Sequence, residues 1–417
     1  MKRGTILLIT LLLTGWVWTQ QISDTVSTGI GQVDQTWYSL ESGEQGSVVA
    51  DNWDIAFDVS SSFGTSIRIN SEYGVKLWVY PNGDNSDWST TDTSGINQWN
   101  PIYNSDTSWS LGAFDATADP NDDFDVGWGI YNVVTHEITG DSIHIIELTD
   151  GSFKKLKIES LISGVYSFTF ASIDGTNEVA ATLDKANFTD KLFGYYSLLD
   201  ETVRDREPVS TSDWDLLFTK HTEFIPTPYP VASILLRPGL TAALETGVSD
   251  PATYSDYQSA DFVTPINTIG YNWKSFNGQG YTIENDRVYF VKNENDEVWK
   301  IIPTGFGGNA NGNFAFDLEK IATAHLGEES APQLVFSLYP NPAQQGELNI
   351  IAESKGSSSF TTTILTTAGE QVAAFERTPG KGLVQHKFDI GHLRPGVYIV
   401  RVAAGNEMKT KKLIVNQ

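Results

Sequence analysis

The chain has 417 residues, 52 acidic against 27 basic side chains, and no cysteine. The missing cysteines exclude a disulfide framework, a Cys-ligated zinc site, a thiol nucleophile and a Cys-linked lipid anchor. A net charge of −25 leaves nothing to neutralise phosphates, so no nucleic-acid partner is expected.

In chain order, Met1-Lys2-Arg3 and the apolar run from Gly4 to Gly15 read as a signal peptide over residues 1–19, with cleavage near Thr19-Gln20. The run is short for a bilayer span of about 20 residues. No later stretch is apolar enough to cross a bilayer, so no membrane span is expected once the signal is removed.

Residues 36–325 contain an internal repeat. Trp37-Tyr38-Ser39-Leu40 returns as Tyr195-Tyr196-Ser197-Leu198, and Trp53-Asp54-Ile55-Ala56-Phe57 returns as Trp214-Asp215-Leu216-Leu217-Phe218. A hairpin pattern around Asp150-Gly151 returns around Asn295-Asp296. The spacing between copies falls from about 160 to about 145 residues, so the first copy carries extra residues after its Trp-Asp strand. Two copies are too few for a solenoid and predict two similar β domains, 36–180 and 190–325. Large apolar residues alternate along Trp53–Phe57 with the period of a half-buried strand. Phe314 to Ala324 is expected to form a short helix.

The repeated pattern, an early Tyr-Ser-Leu, then Trp-Asp-Ile-Ala-Phe, then Asp150-Gly-Ser-Phe-Lys-Lys-Leu-Lys-Ile158 and Ser167-Phe-Thr-Phe170, resembles the HmuY family of secreted haem-binding proteins. The resemblance implies a β-rich fold and a planar ligand. Haem-scavenging members of that family carry a cysteine lipid anchor, which this chain lacks, and none of their axial ligands aligns with a particular residue here.

Haem iron needs His, Met, Cys or Tyr beside an apolar cavity. His136 and His144 are the candidates in the first copy, with Tyr131 the nearest tyrosine, and His221 follows the second Trp-Asp strand. The parity of His144 with Ser142 places it on a half-exposed strand face. A strand histidine is more often structural than a ligand.

Asp119, Asn121, Asp123 and Asp125 put side-chain oxygens at every second position, a pattern that suits calcium. An EF-hand is excluded, because Phe124 and Ile130 stand at its sixth and twelfth positions. A solvated acidic turn is the alternative. Trp88, Trp99, Tyr103 and Trp109 lie among amides and hydroxyls, where they anchor a loop or meet a planar ligand or sugar. No nucleophile elbow, zinc-protease helix or phosphate loop is present; Gly305–Gly312 is a glycine-rich turn without the Lys-Ser/Thr end.

Residues 326–333 read as a linker, and the charge changes there: Leu334–Gln417 carries a net +3, leaving −28 for the rest. The last 84 residues alternate like strands and predict a small β-sandwich. Phe336-Ser-Leu-Tyr339-Pro340-Asn341-Pro342-Ala343, Leu393-Arg-Pro-Gly-Val-Tyr-Ile-Val400 and Lys411-Lys412-Leu-Ile-Val415 resemble the C-terminal sorting domain of type IX secretion cargo. That resemblance implies the type IX machinery as partner, and a secreted or cell-surface location after outer-membrane translocation.

The expectation is therefore an all-β, secreted, non-enzymatic binding protein with an unknown surface ligand, haem and calcium being the named cofactor candidates. A secreted hydrolase with unidentified carboxylates, or an adhesion component without a small ligand, are the alternatives.

Overall fold

The computed structural model describes residues 21–322, 334–343, 346–354, 360–367, 369–377, 382–404 and 407–416. The expected signal peptide and linker lie outside them. Among the described residues the chain is all-β, with strands joined by turns and short 3-10 segments and no α-helix.

Alternation along the repeated Trp-Asp strands explains how residues 21–322 are layered. Ile55 and Phe57 enter one apolar core while Ala56, between them, enters another. Leu216 and Phe218 likewise enter a third core, and Leu217 joins Ala56 in the shared one. Strands buried on both faces must lie in inner sheets. One inner sheet runs Thr202–Arg204, Phe193–Ser197, Ile55–Asp58, Ile67–Ile69, and the other Pro228–Leu236, Leu216–Phe224, Asp34–Ser39, Gly43–Val49. Each is covered by an outer sheet. The first outer sheet centres on Phe153–Ile162, and the second on Val298–Phe306 and Asn313–Ala322, edged by Ile22–Ser27.

The repeat closes by exchanging strands. Ile55–Asp58 pairs with Phe193–Ser197, and Leu216–Phe224 pairs with Asp34–Ser39. The Tyr-Ser-Leu block of each copy thus completes the inner sheet of the other. Matching bonds mark both junctions: the Asp54 amide donates to Tyr196 O at 3.0 Å, and the Asp215 amide to Tyr38 O at 2.8 Å. Residues 36–40 therefore lie with 214–322, and 193–198 with 55–184.

The two hairpins form at the turn dipeptides. Phe153 pairs with Glu147 and Leu156 with His144, across a turn where Gly151 has a φ of 82°. Tyr289 pairs with Ile301 in the second, where Asp296 takes the left-handed position. Over its described part the helix expected for Phe314–Ala324 is instead the strand Asn313–Ala322, and its last two residues lie outside the described ones. Phe314, Phe316 and Leu318 point into the second core, a period of two that outweighs local helix propensity.

In the C-terminal region, Leu334–Tyr339, Glu347–Ser354 and Gly382–Asp389 form one sheet. Gln371–Arg377, Phe360–Thr366, Gly396–Ala404 and Glu407–Val415 form another. Both contribute to one apolar cluster that includes Phe336, Leu348, Ile364, Val400 and Leu413.

Candidate functional site

The two inner sheets face each other across a cavity of about 40 Å³. That is room for about two or three water-sized groups. Its aromatic wall comes from equivalent positions of the two copies: Trp53 and Trp214 from the ends of the Trp-Asp strands, and Trp37 and Tyr195 from the exchanged strands. The polar wall breaks this symmetry. Arg68 sits opposite Ala56 in the first inner sheet, where the equivalent partner of Leu217 in the second is Leu235. Glu72, Asn104, Glu207 and His221 add to the polar lining, with Gln35, Thr219 and the second cationic side chain, Lys220.

Arg68 is buried, and its guanidinium is spent on a loop. It donates to Ser108 O at 2.8 Å and Ser105 O at 3.3 Å, and it stacks on Trp109, with 5.1 Å to the ring centroid. Burial holds its pKa below the usual range, partly offset by the fields of Glu72 and Asp115. Glu207 accepts from Leu192 N at 2.7 Å, Phe193 N at 3.2 Å and Tyr195 Oη at 2.8 Å. Burial nonetheless pushes its carboxyl up to about 7. Glu72 is likewise raised by burial.

His221 is the sequence-predicted ligand residue that lines this cavity. Its Nε2–H donates to Asp106 O at 2.9 Å, its Nδ1 lies 3.8 Å from Glu72 Oε1, and burial lowers its pKa to about 4. The loop that supplies Asp106 closes the cavity from the first unit. Trp109 Nε1 donates to Leu236 O at 2.8 Å, the Ile266 amide donates to Thr107 O at 3.0 Å, and Tyr103 meets Phe224. Trp88 and Trp99 pack on Trp78, Tyr80 and Ile145. These four aromatics hold their loops down.

His136 and His144 do not face one cavity. His144 is fully buried rather than half-exposed, packed at a tilt against Phe114 with 4.6 Å between ring centroids, and neither ring nitrogen has a hydrogen-bond partner. Its parity sets it with Ile146 toward the first core, because the strand His144–Glu147 is covered on both faces. Burial pushes its pKa down to about 3. His136 is exposed at a left-handed turn with φ 61°. Its Nδ1 lies 2.8 Å from Tyr131 Oη and its Nε2 3.2 Å from Tyr339 Oη.

The acidic turn ties itself up. Asp119 accepts from the Asn121 amide and Asp125 from the Asp119 and Gly127 amides, while Asp123 is exposed. Among the described residues no group of three or more His, Asp or Glu is placed to hold a metal ion.

The expected sorting residues meet through Asn341. Its Nδ2 donates to Lys412 O at 3.0 Å, and its Oδ1 accepts from Ile414 N at 2.7 Å. Ala343 then bridges Val415 in parallel. Lys411 and Lys412 are exposed, Tyr339 accepts from Gln385 Nε2 at 2.6 Å, and both Pro340 and Pro342 follow cis bonds.

Sequence reasoning missed Arg68, Glu72 and Glu207. Each is a charged residue without a motif, and only the strand exchange brings them to one place. Trp53 and Trp214 were legible as repeated anchors, but not as walls of a shared cavity.

Residues 337–416 match the family model described as a secretion system C-terminal sorting domain. This is the tail of type IX secretion cargo, and it indicates export to the cell surface or secretion. None of the curated proteins matches the chain. Among solved structures, the chain is similar to Escherichia coli alpha-2-macroglobulin activated by porcine elastase, at 8% identity and a TM-score of 0.18. The alignment covers 95% of this chain and 34% of that one, so the chain spans about a third of its length. A score that low carries no argument about fold. Among the described residues no helix is long and apolar enough to cross a membrane.

Proposed function

We propose that residues 21–322 are a non-enzymatic binding passenger, built from two HmuY-like β units, which the tail takes through the outer membrane by the type IX machinery. The observation that carries binding over hydrolysis is how the buried carboxylates are used. Asp54, Asp215 and Glu207 each accept backbone amides that hold the exchanged strands together. A carboxylate fixed in this way stabilises the fold rather than shuttling protons to a substrate. The cavity that Glu207 lines is far below the roughly 300 Å³ of a drug-sized ligand pocket. This favours a small ligand, and haem forms no part of the reading.

Two measurements test it. The chain truncated after Gln333 is expected to accumulate inside the producing cell while the full chain reaches the surface. A fluorescent reporter bearing the signal peptide and residues 334–417 is expected to be exported, which controls for misfolding of the truncated chain. Surface appearance of the truncated protein would overturn the export claim. The full chain is expected to show no turnover on glycoside and peptide substrates. Turnover abolished by Glu207→Gln would establish the hydrolase instead.

A further inference from the structure

Among the described residues, the indole N–H groups of Trp53 and Trp214 are buried donors without an acceptor. Both side chains are more than nine-tenths buried, both line the inter-sheet cavity, and neither Nε1 has an acceptor. The comparison with other buried indoles is direct. Trp128 donates to Thr65 O and Trp273 to Gly270 O, each at 3.0 Å. A buried donor left without a partner loses its hydration and recovers nothing, so such groups are rare and mark a missing partner. Here two occur at equivalent positions of the two copies, on residues that line one cavity.

The third observation is Arg68, on the same wall. Its guanidinium is buried and makes no ion pair within 4 Å among the described residues; its partners are neutral backbone carbonyls and the Trp109 ring. A buried charge without a counter-charge is costly. Glu72 and Asp115 act on it through space and offset its burial only in part, without an ion pair. Glu207 is spent on two amides and a phenol, and Glu72 turns toward His221.

We infer that the cavity is a binding site for one small monovalent anion, a halide or a formate-sized carboxylate, held by the Trp53 and Trp214 indole N–H groups and charge-balanced by Arg68. Two N–H donors and a cation select a negative acceptor. A volume of about 40 Å³ admits such an ion with a water and excludes sulfate with its hydration shell. Glu207 and Glu72 line the site and oppose an anion when ionised. Burial favours the neutral form of both, and occupancy rises as pH falls through about 7, where Glu207 takes up its proton. His221, neutral down to about 4, neither adds nor removes charge over that range.

This inference rests on the binding reading of the cavity, but its test is independent of export. The full chain, exchanged into sodium gluconate, is titrated with sodium bromide and with sodium formate at constant ionic strength while its melting temperature is followed. Binding to the folded state alone raises stability as RT ln(1 + [L]/Kd). The expected result is a rise in melting temperature that saturates with bromide, formate or both, and a tenfold or greater loss of apparent affinity in Trp214→Phe. The two arms distinguish halide from carboxylate. Crystals soaked in bromide, with the anomalous signal measured in the cavity, keep the test decisive if Trp214→Phe fails to fold. A melting temperature indifferent to both anions, with no anomalous peak between the indoles, would overturn the inference and leave the cavity to water.

Discussion

The Asp54 carboxylate accepts the backbone N–H of Leu198, 144 residues further along, at 2.7 Å. Its counterpart is Asp215, which accepts from Leu40 N at 2.8 Å. Each repeated Trp-Asp dipeptide thus ends the exchanged strand of the other copy. Burial raises the pKa of both aspartates, while the bonds they accept lower it. Asp54→Ala or Asp215→Ala should each cost about 1–3 kcal/mol, since a buried amide loses its acceptor. Asn in either place keeps an acceptor without the desolvated charge and should recover most of that loss. Urea unfolding of the four variants measures this, and equal losses for Ala and Asn would refute the role of the acceptor.

A second expectation concerns the tryptophans behind those aspartates. Trp53 and Trp214 share one apolar cluster with Trp37, Tyr195 and Leu217, between the inner sheets. Truncation of either to Ala should cost roughly 3–5 kcal/mol, because neighbours fixed in two sheets cannot collapse into the void. Calorimetry of the full chain would show it in the transition of residues 21–322. A loss below about 1 kcal/mol would mean that the inner sheets do not depend on this contact.

The all-β class was legible because Trp-Asp-Ile-Ala-Phe and its second copy alternate with the period of a strand. The exchange was not legible, because pairing within a copy and between copies buries the same residues; register across more than 140 positions has no local signature. His144 was misjudged because its neighbour Ser142 is polar. Parity assigns a face, but it does not say whether a second layer covers that face. Phe314–Ala324 was expected to be a short helix, whereas Phe314, Phe316 and Leu318 keep a period of two. The tail was the most legible region, since its motifs occur in fixed order along the chain.

His144 makes an acid-stability prediction. Its folded-state pKa of about 3 lies below the ordinary value of 6.5, because no partner compensates the buried imidazolium. The unfolded chain therefore binds a proton that the folded chain does not, between pH 6.5 and about 3. Stability is fully present above 6.5 and is lost as pH falls. The loss reaches about 3 kcal/mol by pH 4. His144→Phe fills the same apolar site beside Phe114 without a titrating group. Its stability relative to the parent should therefore rise steadily below pH 6.5, on top of the contribution from His221 that both proteins share. A parallel pair of stability–pH curves would show that His144 does not titrate as its burial requires.

The last prediction joins the first and final motifs of the tail. Asn341 is exposed, yet its amide spans Lys412 O and Ile414 N as a neighbouring strand would, and it leads Ala343 into the parallel bridge with Val415. Two side-chain hydrogen bonds at a surface contribute about 1 kcal/mol in total, too little to unfold the cluster around Phe336 and Leu413. Their effect is local, on the order of the terminal strand. Asn341→Ala should leave the melting temperature almost unchanged while hydrogen exchange at the Ile414 amide accelerates several-fold. If the export machinery reads the tail with its last strand in place, the surface-exposed fraction falls in the same variant. Asn341→Asp, which keeps the acceptor for Ile414 N and loses the donor to Lys412 O, should lie between the two. Acceleration at Ile414 with undiminished export would separate the clamp from recognition, and unchanged exchange would remove the clamp itself.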